Sequence, residues 1–112
     1  MTASGPRPHD LEAVVEMLST EAGGRLGPAF DDYRPGHDFG HPSGELNGGI
    51  HVYPDGGVLA PGETGRVFIW LAVHERNAGR LGEGQAFTVQ EAPRVVGRGR
   101  ITRVVTETLR RA

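Results

Sequence analysis

The chain of 112 residues has no cysteine, no lysine and only seven aromatic side chains. Without cysteine there can be no disulfide and no thiolate zinc site, which suits a reducing compartment. Without lysine there is no Gly-x4-Gly-Lys-Ser/Thr phosphate loop, so hydrolysis of a nucleotide held by that loop is excluded. There is no Gly-x-Ser-x-Gly elbow either. The serines, Ser4, Ser19 and Ser43, fall near the N-terminus or near turn signals. The longest apolar run, residues 67–73, is seven residues long, against about 20 for a membrane helix. The N-terminal residues lack the basic-then-apolar layout of a signal peptide. We therefore expect a soluble, cytoplasmic protein with no membrane partner.

What charge there is lies unevenly. All twelve basic residues are arginine, and the formal charge is −2. Residues 1–75 carry four arginines against eleven carboxylates, a balance of −7. Residues 76–112 carry eight arginines against Glu83, Glu91 and Glu107, a balance of +5. Such a gradient can steer an anionic partner to one end of a molecule, or it can be an ordinary solvated surface of mixed charge.

The length fits one domain with one core. Eighteen glycines and eight prolines punctuate short apolar stretches, a spacing that predicts many short strands rather than long helices. Residues 66–74 read as a strand apolar on both faces, entered through a type II turn at Pro61-Gly62. Residues 49–53, 86–90 and 94–105 read as further strands. In the last, Gly97 and Gly99 share a face with Ile101, Arg103 and Val105 and mark close backbone approach or a barrel bend. Residues 1–9 are expected to form a disordered tail, residues 10–106 the domain, and residues 107–112 a frayed end. Residues 10–21 are ambiguous. Leu11, Val14, Val15 and Leu18 fit a helix capped by Asp10, whereas Leu11, Ala13, Val15 and Met17 fit one face of a strand.

Read as one string, residues 11–34 run through Gly23-Gly24-Arg25 and Phe30 to Tyr33-Arg34-Pro35. This resembles the start of the third, C-terminal domain of translation elongation factor Tu. Pro61-Gly62-Glu63 is similar to that family's turn before a long apolar strand. Phe87, Glu91, Arg94 and Val96-Gly97-Arg98-Gly99 are similar to its closing motif. The resemblance spans residues 11–105 and implies an all-β fold, a closed six-stranded antiparallel barrel with a strand at residues 11–19. It also implies partner or RNA contacts through Arg34, Glu91 and Arg94. The sequence departs from the family where Gly36 replaces a glutamine and where Ala92 and Pro93 replace two glycines. Those changes remove a side-chain hydrogen bond and a backbone donor from the family's RNA contacts. Arg98 and Arg100 add charge suited to phosphate.

Other constellations are weak. His37, Asp38 and His41, completed by His51 or His74, have the chemistry of a zinc or nickel site. On a strand or loop, however, the spacing from His37 to His41 does not bring the two rings together, and surface histidines are expected. Asp31 and Asp32 beside a proline turn are expected to be solvated rather than catalytic. No metal, cofactor or catalytic residue is expected. The leading reading is a non-catalytic domain that binds a protein of the translation apparatus, or a ligand of elongation factor Tu. The alternatives are an RNA- or tRNA-binding module using the arginines of the last strand, and an enzyme at the barrel mouth. DNA is not an expected partner.

Overall fold

The computed structural model describes residues 7–112. Its strands are β1 (Leu11–Met17), β2 (Ala29–Phe30), β3 (Gly36–Asp38), β4 (Asn47–Val52), β5 (Val58–Leu59), β6 (Thr64–Leu71), β7 (Ala86–Glu91) and β8 (Arg94–Val104). Six of them close into a barrel in the order β1-β6-β4-β3-β7-β8, and β2 with β5 forms a separate two-stranded ribbon. Every ladder is antiparallel. The all-β closed barrel expected from the sequence is the fold. Among the described residues no helix is long and apolar enough to cross a membrane.

The ambiguous first segment is a strand because it has a neighbour on each side. β1 pairs with β6 along one edge and with β8 along the other. A helix there would satisfy its own backbone but leave β6 and β8 with open edges. Leu11, Ala13, Val15 and Met17 face the core, and Val14, which a helix would turn inward, is exposed.

β6 is apolar on both faces for two different reasons. Val67, Ile69 and Leu71 are buried in the barrel. On the outer face the His9 ring stacks on Phe68 with centroids 4.1 Å apart, and the Trp70 indole donates to the Arg7 carbonyl at 2.9 Å. Residues 7–9, assigned on sequence to a disordered tail, therefore lie over the barrel wall. The rest of that tail, residues 1–6, falls outside the described residues. Next in the chain, the buried carboxylate of Asp10 takes both nitrogens of Arg7 (2.7 and 2.9 Å), the Leu71 amide (2.7 Å) and the Thr106 hydroxyl (2.7 Å).

The strict alternation read in the last strand does not hold. β8 carries two bulges, one where Val96 is extra between the Val89–Gly97 and Gln90–Val95 pairs, and one where Thr102 is extra between the Ala13–Ile101 and Glu12–Arg103 pairs. Each bulge inserts a residue and reverses the inside-outside phase. Val96 and Gly97 both become buried, and Arg103, expected on the face of Ile101, lies outside. Gly99 is needed for space: a Cβ there would stand 2.3 Å from the ring of Phe87. The end of the chain, expected to fray, is pinned by Leu109. That side chain is fully buried, its carbonyl accepts the Leu81 amide at 2.9 Å, and the Arg111 amide donates back to the Leu81 carbonyl at 2.9 Å.

Two substitutions test this packing in urea denaturation. Ile69→Ala removes buried methyl and methylene groups and is expected to cost about 2–5 kcal/mol. Asp10→Ala leaves the Leu71 amide without its acceptor, and is expected to cost at least about 2 kcal/mol. Equality of either variant with the parent would contradict the described core.

Candidate functional site

The residues singled out from the sequence fall on two separate regions. Glu91 ends β7 and Arg94 begins β8, with a cis Ala92–Pro93 bond in the turn between them. The guanidinium of Arg94 lies 3.7 Å from the Glu91 carboxylate. On the same carboxylate converge the Tyr33 hydroxyl at 2.5 Å and the guanidinium of Arg25. Arg25 also lies over the Tyr33 ring, 4.6 Å from its centroid, a cation–π contact that ties the two side chains together. Partial burial works against the Glu91 carboxylate, but the Tyr33 and Arg25 bonds outweigh it and hold its pKa below the usual range. Burial, and then the carboxylate it bonds, pushes the Tyr33 phenol up. Arg34, the next residue, is exposed, and no side chain among the described residues pairs with it.

Sequence reasoning selected Glu91, Arg94 and Arg34 here and passed over Arg25 and Tyr33 as site residues. Both stand in the strings that carried the resemblance, and their exposure could not be read there. Directly beside Arg25 the surface turns apolar. Leu26 is 89% exposed and Phe30 60% exposed. Phe30 pairs with Val58 across the β2–β5 ribbon, so both present the same face.

Arg98 and Arg100 point outward from β8 on a different face. They line a shallow groove of about 720 Å³ together with Val14, Glu16, Asp38 and Thr88. Glu16 stands opposite Arg98 in register. Arg100 is tied to the Gly84 carbonyl at 2.6 Å. Of the remaining arginines of the C-terminal part, three have carboxylate partners and Arg76 and Arg111 have none among the described residues. Arg80 pairs with Glu45 at 3.2 Å, Arg103 with Glu12 at 3.7 Å, and Arg110 with both Glu83 and Glu107. About half of the positive charge of the C-terminal part is thus balanced by local pairs.

The histidines correct the expectation of a polar surface. His37 and His51 are both fully buried inside the barrel. Their Nε2 atoms are 2.8 Å apart, His37 Nδ1 is 2.8 Å from the Asn47 carbonyl, and His51 Nδ1 is 3.0 Å from the Tyr53 hydroxyl. A carbonyl can only accept, so the neutral His37 carries its proton on Nδ1 and its Nε2 accepts. His51 must then donate from Nε2, and its Nδ1 accepts the Tyr53 hydroxyl. The result is one directed chain, from Tyr53 through His51 and His37 to the Asn47 carbonyl. Gly49 makes room for it, since a Cβ there would meet the His37 ring at 3.0 Å. Asp38 is turned away and accepts the Gly40 amide at 2.8 Å, while His41 contacts Asn77 at 2.8 Å. The residues considered for zinc are thereby divided between the inside and outside of the wall. Among the described residues no three histidine or carboxylate side chains are grouped to hold a metal ion.

Burial pushes His37 down to about 4, and burial together with the neighbouring His37 lowers His51 well below its ordinary value. Between the unfolded value near 6.5 and the folded value, the unfolded chain binds more protons, so acid favours unfolding. The stability contributed by the neutral pair is complete above about pH 6.5 and is lost as the pH falls toward 4. For His37 alone the loss is on the order of 3 kcal/mol. Thermal melts at a series of pH values should show this decline, and the slope should flatten in His51→Leu, which removes one of the two titrating rings. A melting temperature independent of pH across that window would contradict the burial of the pair.

Compared with the models of known protein families, the chain matches none, and its function is read from this geometry.

Proposed function

We propose that this chain is a non-catalytic binding domain related to the third domain of elongation factor Tu, and that it docks a protein of the cytoplasmic translation apparatus. The observation that carries the binding reading is the exposed apolar pair Phe30 and Val58 on the β2–β5 ribbon, joined through the Tyr33 backbone to the Arg25–Tyr33–Glu91 cluster. Large apolar side chains gathered at one place and rimmed by polar groups are the common mark of a protein interface. Tyrosine and arginine, which here hold each other in place, are the residue types that most often anchor such interfaces. The relation to the elongation factor is supported by the barrel and by the meeting of motif residues distant in sequence, Arg25, Tyr33, Glu91 and Arg94.

A protein partner is favoured over RNA by the state of the arginines. Affinity for a phosphate backbone comes from cations free to release counterions. Arg7, Arg25, Arg66, Arg80, Arg94, Arg103 and Arg110 already have a carboxylate partner, and Glu16 stands opposite Arg98, which leaves Arg34, Arg76, Arg100 and Arg111 without one among the described residues.

Affinity capture from the source organism, with proteins and RNA both identified, separates the two. The parent chain should retain a protein that Phe30→Ser loses, and should retain no tRNA at about 150 mM salt. Aminoacylated tRNA bound at that salt and lost in the Arg98→Ala/Arg100→Ala variant would establish the RNA reading instead. Its log–log salt slope would then be about −0.7 to −0.9 per neutralised phosphate.

A further inference from the structure

The β2–β5 ribbon stands outside the barrel ladders, and its two faces differ sharply. Ala29 and Leu59 turn inward and are buried, whereas their neighbours Phe30 and Val58 turn outward, 60% and 38% exposed. Val58 also lines a cleft of about 330 Å³ with Tyr53, Asp55, Glu63 and Arg66. The apolar face therefore continues into a recess with room for one long side chain.

The charges around this face are predominantly negative. Asp31 follows Phe30 directly and lies against Gly57 across the ribbon, where a Cβ would come 3.3 Å from its carboxylate. Its bond is to an uncharged donor, the Tyr53 amide at 2.8 Å. Glu63, in the wall of the cleft, bonds the Ala60 amide at 2.9 Å. Neither bond cancels a unit of charge. The one guanidinium of the cleft, Arg66, is held by both oxygens of Asp55 at 2.8 and 2.9 Å and has its counter-charge in place. A cation arriving in the cleft meets the Glu63 carboxylate, which has no cationic partner among the described residues, and an anion arriving there meets a guanidinium whose counter-charge is in place.

We propose that the ribbon docks a basic, apolar segment of a protein partner: aliphatic or aromatic side chains cover Phe30 and Val58, and an arginine or lysine enters the cleft toward Glu63, with Asp31 beside Phe30 adding to the negative field. This rests on the protein-binding reading above and supplies the chemistry of the partner. The apolar contact provides most of the affinity, because area removed from water is its source. The carboxylates select the sign of the partner's charge and speed the encounter. The same field turns phosphate-bearing ligands away from this face.

The test uses the full chain and three short synthetic peptides, one alternating arginine with leucine, one glutamate with leucine, and one arginine with serine. Binding is followed by fluorescence anisotropy at low and high salt. The arginine–leucine peptide should bind, and the other two should bind at least about tenfold more weakly. Its affinity should fall at least about tenfold in Phe30→Ser. It should also fall in Asp31→Asn/Glu63→Gln, which keeps the acceptor oxygens but removes both charges, and there the salt dependence should shrink. Because Phe30 is exposed, Phe30→Ser should melt with the parent, so a loss of binding reports the surface rather than the fold. Equal binding of the glutamate–leucine peptide, still lost in Phe30→Ser, would overturn the basic partner and leave the protein-binding reading intact. Arginine–leucine binding indifferent to Phe30→Ser, or no binding by any peptide, would overturn the ribbon as the docking face. The capture experiment then decides the broader reading separately.

Discussion

β1 is bonded on both long edges, to β6 and to β8, and the carboxylate of Asp10 at its head is bonded to groups on both sides as well. Its acceptors take up the Leu71 amide from one flank, the Thr106 hydroxyl from the other, and the guanidinium of Arg7 from across the wall. A buried carboxylate is tolerated only when its charge is paired and its lone pairs are filled. Burial raises the cost of the charged form, yet these bonds together hold its pKa below the ordinary range. The Asp10 carbonyl also accepts the Val105 amide at 2.8 Å. One residue thus fixes where the first strand starts, where the last strand ends and where the segment before the barrel lies.

The interior imposes a second condition. Four of the six barrel strands, β1, β6, β7 and β8, contribute buried apolar side chains that fill space without direction, but β3 and β4 bring His37 and His51, with Tyr53 just after β4, whose bonds are directional. Each ring nitrogen has one partner, and the order of donors is forced by the Asn47 carbonyl at one end. β3 is short, with two register pairs to β4 and three to β7. The histidine bond adds a side-chain link across the β3–β4 seam, where the ladder is briefest. A hydrogen-bonded polar pair inside an apolar wall also specifies register, since a slip by one residue would place both rings outside.

Much of this was legible in the residues. Ile69 and Val67 on the longest apolar stretch, Phe87 and Val89 in the next, and the Pro61-Gly62 turn all stand as their patterns indicate, with Gly62 at a φ of 83°. The strand at Leu11–Met17 was not decided by its own periodicity and followed from the resemblance, because pairing on two edges is a property of neighbours rather than of the segment. In β4, Ile50 and Val52 alternate with His51 and with Tyr53 just beyond the strand, and alternation alone does not say which side is inside. The complementary ring of His37 on β3 makes the polar side the buried one. The bulges at Val96 and Thr102 leave no local signal, which is why Arg103 was assigned the wrong face. Among candidate site residues, Glu91 and Arg94 were found through adjacent motif positions. Phe30 and Val58 were not, because an exposed pair on a two-residue ribbon has no pattern to repeat.

Tyr33 joins the interior to the proposed docking face. One edge of its ring meets His51 with centroids 5.7 Å apart, its hydroxyl holds Glu91, and its face carries Arg25. Its amide donates to the Phe30 carbonyl at 3.0 Å, and its carbonyl accepts the His51 amide at 2.8 Å. The position of Phe30 is therefore set by backbone bonds that run directly into the strand bearing the buried histidine. A surface built this way is preorganised: its apolar side chain sits on a ribbon whose backbone is bonded to the barrel rather than on a free loop. Little ordering cost remains to be met when a partner arrives. The same connection means that whatever disturbs the histidine pair is felt at Tyr33 first and at the ribbon next, so that the stability of the core and the shape of the proposed docking face depend on one set of bonds.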